Sequence, residues 1–283
     1  MKLQPPPEES DAEAAAHEEW RRRARSLKGA LIHIGHVHPA IANATSRVCA
    51  FMAKPTHESY AAAKRILAWL AQRKDVGVCY GNRRLRTYED LKAPHEDIMP
   101  MSPDRDPSLH ITVDSDLPSG EMPVKAIDDT APVHKASHRA QLGYCIMFAC
   151  GCIEGVSRRQ HSTAVDVAAA ELFAASTAAA VVILINNVLA FLSFGNLGDT
   201  VVRIWCDNSA AVMVSNDATS IKRLAYIARR CRFLQELVDR KLIKMLDVPG
   251  TANPADALTK HISPKQTFKE YMARIYQQPA SVF

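Results

Sequence analysis

The sequence predicts a mixed α/β sheet with helices on its faces, preceded by a small helical unit. Three observations carry this expectation. Residues 109–116, "LHITVDSD", alternate between apolar and polar side chains, as a strand does. From there onward strand-like runs are interleaved with helical ones. A proline-rich stretch without periodicity, "APHEDIMPMSPDRDPS", separates this pattern from purely helical sequence upstream.

The elements read as follows. Residues 1–28 run from acidic to basic without an apolar stripe and read as a charged N-terminal tail, either a solvated helix or frayed. Residues 29–82 read as two helices. The first lies between Pro39 and Pro55. The second is capped by Thr56 and faces inward through Tyr60, Ala63, Leu67 and Leu70. Residues 83–107 form a linker. After 109–116, "LGYCIMFACGCIEGVSR" (142–158) reads as two strands turning near Gly151, and a long apolar helix starts around Thr163. "TVVRIWC" (200–206) is apolar on both faces, as a central strand is. Residues 219–241 read as one amphipathic helix, with Ile221, Leu224, Ala228, Cys231 and Leu234 inward, and 242–248 as a strand. Asn253 as N-cap and Pro254 as first helical residue open a late helix. Residues 264–283 form a C-terminal helical tail.

Composition narrows the class. With 47% hydrophobic and 23% charged residues the chain is globular. A net charge of +5 permits contact with nucleic acid without demanding it. Seven cysteines, with no CxxC pair and no zinc spacing, read as reduced thiols in an intracellular compartment. The uncharged run 172–194 is long enough to span a bilayer. Its Ala and Ser content, Asn186, Asn187 and the adjacent Glu171 favour a buried core helix, with no membrane partner.

Four acids stand where elements end: Asp114 on the first strand of the sheet, Glu171 in the first turns of the apolar helix, Asp207 after the central strand and Asp256 in the first turn of the late helix. Sites in open α/β sheets gather outside strand ends. Carboxylates converging there repel one another unless divalent cations neutralise them, and Mg²⁺ prefers oxygen ligands. Each acid also has a plainer reading, as a helix-dipole partner, a cap or a solvated charge.

Several segments, in order, resemble the C-terminal part of a copia-type LTR retrotransposon Pol polyprotein. They are 38–81, "VDSD" (113–116), "LGYCIMF" (142–148), "AAAELFAAS" (168–176), "IWCDNSAAV" (204–212), "IKRLAYIARRCRFLQELV" (221–238) and "NPADALTK" (253–260). The resemblance implies that 29–82 is a remnant of the thumb-like helices ending a reverse transcriptase. It implies that 108–263 is an RNase H-like domain with a mixed five-stranded sheet. The family's metal-binding and catalytic acids then fall on Asp114, Glu171, Asp207 and Asp256. They would hold two Mg²⁺ ions, with Mn²⁺ as a substitute, for hydrolysis of the RNA strand of an RNA–DNA hybrid. Several features depart from the family pattern: Ala169 and Leu117 replace an acid and an aromatic, 120–136 is an insertion, and 172–194 lacks the charges usual after the glutamate. No Tyr-x-Asp-Asp motif occurs, so a reverse transcriptase core would have to come from elsewhere. The alternative is a catalytically inactive fragment that at most binds nucleic acid.

For the hybrid, the 219–241 helix offers Lys222, Arg223, Arg229, Arg230 and Arg232 on an outer strip suited to phosphates. Asn208 would reach a sugar or base edge, or simply cap the next helix.

Overall fold

Strand β1 (His110–Asp116) lies in the middle of a five-stranded sheet ordered β3-β2-β1-β4-β5. β2 (Gln141–Phe148) and β3 (Gly151–Arg159) pair antiparallel on one side of it, and β4 (Val202–Cys206) and β5 (Ile243–Asp247) parallel on the other. This is a computed structural model describing residues 11–80, 103, 107–117, 139–192, 201–217, 225–263 and 265–283. The 120–136 insertion, Lys222 and Arg223, and the 83–107 linker save residues 103 and 107 fall outside these.

The sheet is covered on both faces, so β1 is buried along its whole length except Asp116. One face, with Ile111, Val113, Leu142 and Ile204, packs under α4 (Val167–Phe191), α5 (Ser209–Asn216) and α6 (Ala228–Asp239). The other face, with Cys145, Met147 and Cys152, meets α7 (Asp256–Thr259) and α8 (Lys265–Tyr276). Alternation along β1 therefore sorts residues between two cores rather than between core and water.

α4 accounts for the longest apolar run. Asp166 caps it by accepting from the Ala169 amide, so it starts four residues after Thr163. It is long and apolar enough to cross a bilayer. It instead lies over the sheet, buried through most of its first half and at Val182 and Asn186.

Upstream, α1 (Asp11–Val37), α2 (Ala42–Cys49) and α3 (His57–Ala71) form a helical unit. Of the two readings of 1–28, the helix is found from Asp11 onward, but it is not solvated throughout. It is continuous, with Ala24, Lys28 and Leu31 fully buried. The Lys28 ammonium donates to the Phe51 carbonyl (3.0 Å) and the Ser59 hydroxyl (2.9 Å), which is how a cation comes to lie inside. Thr56 caps α3 as expected, in a reciprocal capping box with Ser59. The inner face of α3 runs through Ser59, Ala63 and Ile66. Leu67, expected inside, is 36% exposed because Ile66 takes the inward position.

One other element reading changes, and the two strands turning near Gly151 are found. Among the described residues, the 219–241 helix is a short 3₁₀ turn at 225–227 followed by α6, with Cys231 and Leu234 inward. The β2–β3 turn is a two-residue loop, Ala149 and Cys150, both at positive φ (51° and 65°). Gly151 opens β3 directly after it. A Cβ there would fall 2.6 Å from the Cys79 carbonyl, so the glycine lets the 79–80 segment lie against the sheet.

Candidate active site

The parallel register of β1 and β4 brings two acids to the same end of the sheet. Val113 pairs with Cys206, so Asp114 and Asp207 follow the last ladder position on adjacent strands. Asp207 follows β4 just before Asn208, whose side chain accepts from the Ala211 amide and caps α5. Asn208 thus takes the capping role, and its amide NH₂ has no hydrogen bond among the described residues.

Asp256 arrives from the loop after β5. Asn253 was expected as the N-cap of a helix starting at Pro254, but the short α7 starts at Asp256 with Ala255 before it. Asn253 still makes the cap-like contact expected of it, two residues on, and, fully buried, it does more. Its NH₂ donates to the Val113 carbonyl (2.8 Å) and its oxygen accepts from the Ala255 amide (3.1 Å). This ties the loop to β1 beside Asp114. Gly143, paired with Asp114 on β2, completes the approach. A Cβ there would meet Leu258 at 2.8 Å and Thr259 at 2.7 Å, so only glycine lets α7 sit this close to the strand.

The four acids form two overlapping groups. Ligand oxygens of Asp114, Asp207 and Asp256 lie within 4.8 Å of one another. So do atoms of Glu171, Cys206 and Asp207. Asp207 belongs to both. Glu171 is 2% exposed and reaches the group from the first turns of α4, accepting from the Ser115 amide (2.9 Å) and from the Cys206 thiol (3.7 Å). The acids singled out by their places at element ends therefore come together in the fold.

Lys260, which sequence reasoning missed, completes the cluster. Its ammonium donates to Asp256 Oδ1 (2.7 Å) and Asp114 Oδ1 (3.1 Å). The hydroxyl of Thr259 donates to the other oxygen of Asp114. The Tyr271 hydroxyl lies 3.4 Å from Asp256 Oδ2. Lys260 stands four residues after Asp256, a spacing that sets side chains together on a helix, so a signal was present. The Thr259 and Tyr271 contacts depend on long-range packing and have none.

The electrostatics are those of crowded anions. Burial, then the neighbouring Asp114 and Asp207, pushes the Glu171 carboxyl well above its ordinary range. Burial and Asp114 also raise Asp207. Burial, then Asp114, lifts Asp256 to about 7, against the opposing pull of Lys260. For Lys260, burial alone would lower its pKa, but Asp114 and Asp256 outweigh it and hold it well above the usual value. The Cys206 thiol is raised by burial and by Glu171, so it stays protonated and is a poor soft ligand. The donors left are carboxylate oxygens whose charge Lys260 compensates only in part. That set fits a hard divalent cation such as Mg²⁺ and fits zinc poorly.

The basic residues expected to meet the hybrid divide. Arg229 and Arg232, three residues apart on α6, are both exposed. Arg230 leaves the strip. Its guanidinium stacks 3.5 Å over the Phe173 ring and donates to the Ser176 hydroxyl (2.9 Å), joining α6 to α4. Adjacent positions on a helix are about 100° apart, and here that turn carries Arg230 from the exposed strip of Arg229 to the α4 side.

Known proteins offer three likenesses. No protein-family model matches the chain. It is 26% identical over 231 residues to the retrovirus-related Pol polyprotein from transposon TNT 1-94 of Nicotiana tabacum. The match covers 82% of this chain but only 14% of that polyprotein. Among solved structures, LC11-RNase H1, isolated from compost, matches 54% of this chain and 93% of its own (16% identity, TM-score 0.38). The foamy viral protease-reverse transcriptase, solved in complex with an RNA/DNA hybrid, matches 73% of this chain and 26% of its own (15% identity, TM-score 0.37). Over 82% of its length, then, the chain is similar to part of a retrotransposon Pol polyprotein, and its sheet is the mixed five-stranded α/β sheet that the resemblance to an RNase H-like domain implies.

Proposed function

We propose that the chain is a retroelement-derived RNase H-type endonuclease, acting inside the cell on the RNA strand of RNA–DNA hybrids. The observation that carries this reading is the convergence of Asp114, Asp207 and Asp256, with Glu171 beside them, at the open end of β1 and β4. Asp114, Asp207 and Asp256 would hold one divalent cation, and Asp207 with Glu171 a second. Bound there, a pair of Mg²⁺ ions supplies an activated water and stabilises the departing 3′ oxygen. The chain's own part is positioning. Asn253 and Gly143 hold α7 against β1, which keeps Asp256 facing Asp114. Arg229 and Arg232 offer phosphate contacts that carry no sequence preference. The Asn208 NH₂ is free to donate to a sugar or base edge. A reverse transcriptase core would act from a separate chain or segment.

A second reading keeps the fold and loses the chemistry. Lys260 already neutralises Asp114 and Asp256, as a resident cation would in a nucleic-acid-binding remnant. One assay separates the two: cleavage of a labelled RNA–DNA hybrid in Mg²⁺ by the wild type and by Asp207→Asn, which keeps the shape and removes a ligand charge. A nuclease loses at least about a hundredfold in rate, in line with removing a group that stabilises transition-state charge. Equal rates, or no cleavage by the wild type, leave the binding remnant.

A further inference from the structure

A cavity of about 690 Å³ lies where the helical unit meets α7 and α8. That is within the roughly 300–1,000 Å³ typical of sites that enclose a small organic molecule. Its walls carry an unusual charge pattern. Arg47, Arg65, Lys260, His261 and Lys265 line it, and among the described residues no acidic one does. Among those residues, too, Arg47, Arg65 and Lys265 form no ion pair. Arg47 is held in place by two neutral contacts, from its Nε to the Asn43 side chain (3.0 Å) and from its guanidinium to the Thr259 carbonyl (3.2 Å). The rest of the lining is largely apolar, including Ile66, Trp69 and Phe268. Lys260 belongs to both places. It lines the cavity, and its ammonium contacts Asp114 and Asp256.

Unpaired cations repel one another, and a cavity that gathers them without acids is built for an anion. An apolar floor beneath a cationic rim suits a ligand with phosphates along one edge and flat bases along the other. We propose that this cavity binds an unpaired stretch of nucleic acid adjoining the duplex held at the carboxylate cluster. The proposal rests on the nuclease reading for the position of that duplex. Continuity through Lys260 selects a polynucleotide over a free nucleotide, since a strand crossing the acids passes this side chain on its way to the cavity. Phosphates follow Arg47, Arg65 and Lys265, and bases lie toward Trp69 and Phe268.

The test measures binding with metal chelated, so that no cleavage intervenes. Fluorescence anisotropy compares the full chain on a blunt RNA–DNA hybrid with hybrids carrying a single-stranded DNA or RNA overhang at either end. The expected result is binding on the order of tenfold tighter to one overhang polarity than to the blunt hybrid. Arg65→Glu/Lys265→Glu, both on the exposed rim, abolishes that preference while blunt-hybrid affinity stays within about twofold. Arg65→Gln/Lys265→Gln retains the fold should the charge reversal not. It makes the salt dependence of overhang binding shallower by about 1.4, at roughly 0.7 for each single-strand phosphate no longer neutralised. Equal affinity for blunt and overhanging hybrids overturns the proposal. So does a preference that survives both double variants, or polyglutamate competing with the overhang as well as a single strand of equal charge does. The last outcome assigns the cavity to an acidic protein segment. An overhang preference without Mg²⁺-dependent cleavage keeps the proposal and removes the nuclease reading; cleavage without the preference does the reverse.

Discussion

Asp256 makes the stability of the metal-free protein depend on pH, in a direction opposite to ordinary acid denaturation. Its carboxyl, raised by burial and by Asp114, has a pKa of about 7 against 3.8 for a free aspartate. The native state therefore holds a proton that the unfolded state releases. Stability from this source is full below about pH 4 and is lost as pH rises through 7. The side chain is 14% exposed, so little of the effect is screened. Between pH 5 and 8 the loss is roughly 3 kcal/mol, at about 1.4 kcal/mol per pH unit over the part of that window below 7. Burial raises Glu171 and Asp207 too, and both add in the same direction. Lys260 stays charged throughout and adds no slope. In thermal unfolding with chelator, Tm should fall by about 6–12 °C from pH 5 to 8, at roughly 2–4 °C per kcal/mol for a protein of this size. Saturating Mg²⁺ should reverse the trend, because the cation binds the deprotonated acids, so its stabilising increment grows with pH. Asp256→Asn mimics the protonated acid and should make the chelator curve shallower, leaving only the slope from Glu171 and Asp207 and a variant more stable than wild type at pH 8. A chelator Tm that is flat or rises from pH 5 to 8, or a Mg²⁺ increment independent of pH, refutes the reasoning.

Two further outcomes follow from packing. Gly143→Ala sets a methyl group against Leu258 and Thr259, and should cost about 1–3 kcal/mol of stability and weaken Mg²⁺ binding, measured by denaturant unfolding and calorimetry. Arg230→Ala should cost about 1–2 kcal/mol by opening the α6–α4 contact while leaving the salt dependence of hybrid binding unchanged. Arg229→Ala should do the opposite, leaving stability intact and making the salt dependence shallower by about 1.

What was legible in the sequence follows the range of the interactions involved. The strands, the capped α3 and the apolar α4 announce themselves through local periodicity and caps, and each is present. The four acids were legible because each stands at an element boundary, which local pattern marks. Arg230 was misplaced because sequence spacing gives the angle around a helix and not the neighbour across it. Only the fold shows that Phe173 receives it. The same limit hid Lys28. A charged residue amid charged neighbours reads as solvated, and its partners at Phe51 and Ser59 lie 23 and 31 residues away. The roles of Asn253 and Gly143 are tertiary as well. The amide ties a loop to a strand 140 residues earlier, and the glycine is explained by what presses on it.

Lys260 links the two charged features of this surface. An uncompensated cluster of buried carboxylates is costly, and an uncompensated cluster of cations is costly too. The fold sets one beside the other and joins them through a single lysine side chain that is 37% exposed. Without metal, its ammonium lowers the cost of holding Asp114 and Asp256 together. When divalent cations occupy the acids, its contribution there becomes repulsive, and the cavity next to it supplies a place for the side chain to turn. A phosphate arriving in the cavity favours the same movement, because it offers the ammonium a new partner. Metal binding at the acids and polyanion binding in the cavity therefore draw on the same side chain with the same sign. Each is expected to favour the other, by as much as the metal-free contacts of Lys260 oppose both.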